Sequence, residues 1–145
     1  MTTLAIVSAL LDEQKGLLDQ LHQPTKRVRA GRTFWCGQWA GHDVVLVLSK
    51  VGKVAAASTT ATLIEAFGAQ RVLFTGVAGG IADGVKVGDV VVADAFIQHD
   101  MDSGPLFPRY EIPLYGRSTP NASISVAVVL AAATLPTLES TSTTS

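Results

Sequence analysis

Two stretches of the chain carry residue types that could do chemistry. In Thr75-Gly76-Val77-Ala78-Gly79-Gly80, three glycines within five positions let the backbone turn sharply and approach a ligand closely. This stretch follows Val72-Leu73-Phe74, an apolar run that reads as a buried strand, and open α/β folds place ligands at such strand ends. A strand, a tight turn and a second strand with no ligand accounts for the same residues equally well. No G-x-G-x-x-G opens a helix here and no Gly-Lys-Ser/Thr follows, so this is neither a dinucleotide fingerprint nor a P-loop. The other candidate is Glu13, placed in the first turn of a helix just after the apolar run Leu4-Ala5-Ile6-Val7. On position alone, a carboxylate there complements the helix dipole, worth a few tenths to ~1 kcal/mol. Gln98-His99-Asp100-Met101-Asp102-Ser103 has the outline of a metal loop, but one His and two Asp in irregular order are a poor ligand set. No metal is expected.

The elements that must position these residues follow from the apolar pattern. Leu4 to Val7 is continuous, as in a central strand buried on both faces. Leu17, Leu18 and Leu21 recur at helical spacing, which predicts a helix from about Asp12 to just before Pro24. Arg32 to Ala40 and Val44 to Leu48 are strand-like, with Ala40-Gly41-His42-Asp43 suited to a hairpin turn. Lys26, Arg27, Arg29 and Arg32 fall in a loop and strand start and read as a solvated face. Lys53 to Phe67 is Ala-rich and helical, with Val54, Ala57, Ala61, Leu63 and Ile64 as its packing face and Gly68 as its stop. A third buried strand, Val72 to Phe74, and a further strand, Asp89 to Ala93, complete a mixed α/β layer fold.

Composition excludes several function classes. At 145 residues the chain is one domain's worth, and a formal net charge of −1 gives no electrostatic case for nucleic acid or an acidic membrane. Cys36 is the only cysteine, which leaves no disulfide framework and no cysteine metal site. The apolar patch Ala122 to Leu135 contains Ser and Thr and is too short to cross a bilayer. A cytoplasmic protein is the expectation. Residues 118–145 are rich in Ser, Thr and Ala and read as a disordered tail.

Three segments together, in this order and at these separations, carry a resemblance. They are Ala5-Ile6-Val7-Ser8-Ala9-Leu10-Leu11-Asp12-Glu13, Val51-Gly52-Lys53-Val54-Ala55-Ala56, and Thr75-Gly76-Val77-Ala78-Gly79-Gly80 followed by Val87-Gly88-Asp89-Val90-Val91. The chain resembles the methylthioadenosine/S-adenosylhomocysteine nucleosidases of the nucleoside phosphorylase superfamily, from about Leu4 to Gly116. The resemblance implies a twisted mixed β-sheet with flanking helices, the nucleoside phosphorylase-like α/β/α sandwich. It implies hydrolysis of the adenine–ribose bond of a purine nucleoside, no cofactor, and a homodimer. Glu13 matches the water-activating glutamate, Val51 the lining of the ribose and 5′-substituent side, and Gly76, Val77, Ala78 and Gly79 the ligand-facing turn. Phe107 matches the aromatic that reaches a neighbouring subunit's site.

Two departures qualify that match. Val77 stands where relatives commonly have a small hydroxyl residue. After Gly116 there is neither a Met-Glu pair to hold the ribose hydroxyls nor an aspartate to protonate the purine. The expectation is therefore a domain over 1–117 whose C-terminal part is missing, through truncation or a frame shift near Arg117. Two alternatives stand beside the hydrolase. One is a purine nucleoside phosphorylase, which needs cations to hold phosphate where this chain has Phe74 and Ser8 to Glu13. The other is a non-catalytic half-domain that only associates with itself.

Overall fold

The computed structural model describes residues 3–93, 96–114, 117–118 and 126–132. The chain runs β1 (Thr3–Ser8), α1 (Leu11–Gln14), a 3₁₀ turn (Leu18–Gln20), β2 (His22–Arg29), β3 (Arg32–Trp39), β4 (His42–Leu48), α2 (Lys53–Phe67), β5 (Ala69–Ala78), β6 (Val90–Ala93), β7 (Glu111–Ile112), β8 (Arg117–Ser118) and β9 (Val126–Ala132). Seven strands form one sheet in the order β2-β3-β4-β1-β5-β9-β6, and β7 pairs with β8 separately. β4, β1, β5 and β9 are parallel, while β2, β3 and β6 run antiparallel to their neighbours. This is the mixed α/β sheet that the sequence implies.

Two Ala-Gly pairs shape the antiparallel side. Ala30-Gly31 and Ala40-Gly41 all have positive φ, the requirement for two-residue hairpin loops that match strand twist. α2 spans the predicted residues because Gly68 adopts φ 63° and its N–H caps the Ile64 and Leu63 carbonyls.

Alternation along the strands builds a core on each face of the sheet. On one face Ala5, Val7, Phe34, Val45, Val47, Leu63, Ala69 and Val72 pack together, and the Phe34 ring stacks on Phe67 at 4.6 Å between centroids. On the other, Ile6, Leu21, Val44 and Leu46 pack with Leu17, Leu18, Trp35 and Trp39. Both tryptophans are thus core bulk.

Several expectations need correction. The first helix ends at Gln14 because Gly16 takes φ 81°, yet Leu17, Leu18 and Leu21 still pack inward from the 3₁₀ turn. His22–Arg29 is a strand, not a loop; it is exposed throughout and lies at the sheet's edge, where Pro24 is tolerated. On α2 the inward side chains are Thr59 and Leu63, while Val54, Ala57 and Ala61 are exposed. Thr59 can be buried because its hydroxyl donates to the Ala55 carbonyl at 2.7 Å. Within the region expected to be a disordered tail, Val126–Ala132 is a strand between β5 and β6, consistent with its Val-Ala run. The rest of that expected tail, apart from Ser118 in β8, lies outside the described residues.

Phe34 is fully buried and central to the larger core. Phe34→Ala should lower unfolding stability by about 3–5 kcal/mol, measured as a fall in urea midpoint at constant m-value.

Candidate active site

Strands β4, β1 and β5 deliver their carboxyl ends side by side, and three chain segments leave the sheet there. The first carries Glu13. Its Oε2 accepts hydrogen bonds from the N–H groups of Ala9 at 2.9 Å and Leu10 at 2.8 Å. Such a bond to the residue preceding a helix is one half of a capping box, so the helix-end reading of Glu13 is correct as far as it goes. The other oxygen does something a cap does not require. Oε1 accepts from the Val77 N–H at 3.3 Å, on a segment 64 residues away. The carboxylate therefore bridges the end of β1 to the end of β5.

Gly76 makes the bridge possible. A Cβ at that position would stand 2.9 Å from the Phe74 ring and 3.3 Å from Glu13 Oε1, closer than side chains normally pack. Its glycine serves close approach, since its φ is not in the left-handed region. The expected turn at Gly76 to Ala78 is in fact the last part of β5. Pairing with β9 at Gly76↔Leu130, Val77↔Ala131 and Ala78↔Ala132 keeps it extended. Only Gly79 and Gly80 lie beyond the strand.

The other predicted residues are placed as follows. Val77 is 53% exposed and Val51 is 74% exposed, so both side chains are free to meet a ligand. Ala78 is half-buried, and Gly79 is exposed. Val51 follows Ser49, whose N–H donates to the Ser8 carbonyl at 2.9 Å and so fixes the start of the Val51 segment beside β1. Phe107 sits in the loop after β6, half-buried, with its N–H donating to the Ser103 carbonyl at 3.3 Å. That loop is tied to the start of α2 by the Lys53 ammonium, which donates to the Asp100 carboxylate. The hydrogen bond from Lys53 is the leading reason that Asp100 titrates below its ordinary value of 3.8. Among the described residues no group of His, Cys, Asp and Glu is arranged to hold a metal ion. Burial pushes the Cys36 thiol up, against a smaller opposing pull from Arg27, which leaves it a poor nucleophile.

The sequence reading missed Ser8, Ser49 and Thr75. Each is a hydroxyl residue directly after an apolar strand run, and that placement was the available signal. Ser8 and Ser49 are buried, and the Ser8 and Thr75 hydroxyls share a hydrogen bond of 2.7 Å.

The profile of the phosphorylase superfamily matches residues 3–139. The chain belongs to this superfamily. Family members similar to it include the aminodeoxyfutalosine nucleosidase of Campylobacter jejuni, 38% identical over 102 residues, which cover 70% of this chain and 44% of that protein. The 5′-methylthioadenosine/S-adenosylhomocysteine nucleosidase of Bacillus thuringiensis is 40% identical over 99 residues, 68% of this chain and 43% of that one. Among solved superfamily structures, the methylthioadenosine/S-adenosylhomocysteine nucleosidase of Colwellia psychrerythraea in complex with adenine superposes with a TM-score of 0.73 at 39% identity, covering 77% of this chain and 47% of that one. The S-adenosylhomocysteine nucleosidase of Streptococcus pyogenes, in complex with 5-methylthiotubericidin, gives 0.74 at 34% identity, covering 77% and 48%. The chain spans less than half the length of these relatives.

Two outcomes follow for the superfamily site in this chain. Gly76→Ala should displace the carboxylate from Val77 while leaving the fold intact, seen as a loss of the Val77 amide's hydrogen-bonded NMR shift. The Lys53–Asp100 tie depends on a lowered folded-state pKa, so it is complete above pH ~4 and is lost as pH falls through that lowered value. Lys53→Gln should move the Asp100 titration, followed by carboxyl ¹³C shift, up towards its ordinary position.

Proposed function

We propose that the chain carries the water-activating part of a hydrolytic purine nucleosidase. Its reaction is cleavage of the adenine–ribose N-glycosidic bond of methylthioadenosine or S-adenosylhomocysteine. The observation that carries this reading is the Glu13 bridge. A carboxylate offers about four lone-pair directions, and three N–H groups occupy three of them here. The remaining direction can accept a proton from water, and the side chain is only half-buried. In that step the water oxygen forms a bond to the anomeric carbon, its proton passes to Glu13, and the carbon–nitrogen bond electrons leave with adenine, which takes up a proton from solvent. General-base assistance of this kind contributes about 10²–10⁴-fold in rate.

Val51, Val77 and the Gly76–Gly79 backbone form the sugar-facing side in this reading. Apolar Val51 suits a thioether at the 5′ position. The names of the relatives agree on nucleosidase chemistry and differ in the nucleoside. A purine nucleoside phosphorylase is a weaker reading. Phosphate would have to approach the Glu13 carboxylate, and the Lys53 ammonium is already engaged by Asp100.

Self-association has its own support. Val54, Ile81, Leu106 and Leu114 are large apolar side chains in exposed positions. A homodimer would cover such surface and would bring Phe107 of one copy towards the site of the other. The domain boundary at 117 and a cytoplasmic location belong to the same proposal, although the superfamily match continues to 139.

An adenine-release assay with methylthioadenosine decides between these readings. Release that is independent of added phosphate supports the hydrolase, and release that requires phosphate supports the phosphorylase. No release, together with concentration-dependent association in sedimentation, supports the non-catalytic half-domain. If the hydrolase reading holds, Glu13→Gln should lower kcat by about 10²–10⁴-fold with KM little changed. Simultaneous loss of binding and folding would make Glu13 a structural cap alone.

A further inference from the structure

The backbone ladder between β1 and β5 ends at Val7↔Phe74. One step further along both strands, the Ser8 and Thr75 hydroxyls meet at 2.7 Å, and either can donate. The next bridge between the same two segments is Glu13, which holds Ala9 and Leu10 on the β1 side and Val77 on the β5 side. Ser8 also ties the third segment, since its carbonyl accepts from the Ser49 N–H at 2.9 Å. Ser49, Ser8 and Thr75 thus form a polar belt across three adjacent strand ends, beside the segments that Glu13 bridges. Ser8 is buried and Thr75 half-buried, where an apolar pair of similar size would pack without any need for partners. What the hydroxyl pair adds is direction, a fixed separation of two strand ends beyond the last ladder bond.

We propose that Ser8 and Thr75 are positioning residues that hold the β5 end at the distance from β1 that the Glu13 carboxylate must span. The Val77 contact is the longest of the carboxylate's three, at 3.3 Å against 2.9 and 2.8 Å. It is therefore the first to yield if the strand ends separate. The inference rests on the nucleosidase reading for its kinetic consequence but not for its geometric one.

The test uses the whole 145-residue chain and two readouts. Thr75→Val removes the hydroxyl at nearly constant volume, and Thr75→Ser keeps it. Ser8→Ala removes the partner on the other strand. By amide hydrogen exchange, Thr75→Val and Ser8→Ala should each speed exchange at Val77 by up to about tenfold, with Ala9 and Leu10 little changed, while Thr75→Ser stays near the parent. The double variant should do no more than either single one. In the adenine-release assay, the same two single variants should lower kcat with KM held, and Thr75→Ser should restore it. Unchanged Val77 exchange in Ser8→Ala, or additive effects in the double variant, would overturn the proposal. Altered Val77 exchange in a chain that releases no adenine would keep the positioning pair and discard the nucleosidase reading. Should Thr75→Val fail to fold, Ser8→Ala alone still decides.

Discussion

One carboxylate joins two segments that the sequence separates by 64 residues. Glu13 satisfies two N–H groups at the start of α1 and a third at the end of β5. Most helix-start carboxylates serve only their own first turn. Here the side chain has a second task, and the local geometry is arranged to permit it: glycine at 76, an extended strand through Ala78, and a very short α1 that keeps Glu13 at the sheet. A longer first helix would still begin at the same place. Gly16 instead turns the chain early and lets Leu17, Leu18 and Leu21 close the face below.

That bridge can exist only because parallel pairing puts the ends of β4, β1 and β5 in a row. The pairing is in turn fixed by burial on both faces. Shifting β1 by one residue would exchange Ile6 with Ala5 and Val7 between the two cores, and neither face could absorb the change. The register that places Ser8 beside Thr75 is thus set by apolar packing several residues away. Polar precision at the site is a consequence of hydrophobic alternation in the strands.

Much of this was legible in the sequence, and the reasons for success and failure are physical. α2 was read to the residue because Gly52 and Gly68 bound it and its interior holds no breaker. The β3–β4 hairpin was legible because Ala40-Gly41 interrupts two apolar runs. β2 was not, because edge position leaves every one of its residues exposed and removes the alternation that marks a strand. β9 is hard to read because its Val-Ala run is embedded in Ser and Thr, and composition over a long window outweighs seven residues of pattern. The helix-start position of Glu13 is legible, but its reach to Val77 is not derivable, since it depends on a three-dimensional register. The hydroxyls of Ser8, Ser49 and Thr75 do not stand out, because isolated Ser and Thr at strand ends carry little signal until their partners are known.

The position of β9 bears on the order of assembly. Among the described residues β6 has β9 as its only neighbour in the sheet, so within that set residues 90–93 pair with no strand until residues 126–132 arrive. The strands from β1 to β5, with α2, close through contacts made earlier along the chain. During synthesis from the ribosome, a sheet with β5 as an open margin precedes the one that holds β9, and that margin includes the Gly76–Ala78 stretch. Until β9 docks, this nascent edge is open to pairing with a foreign strand.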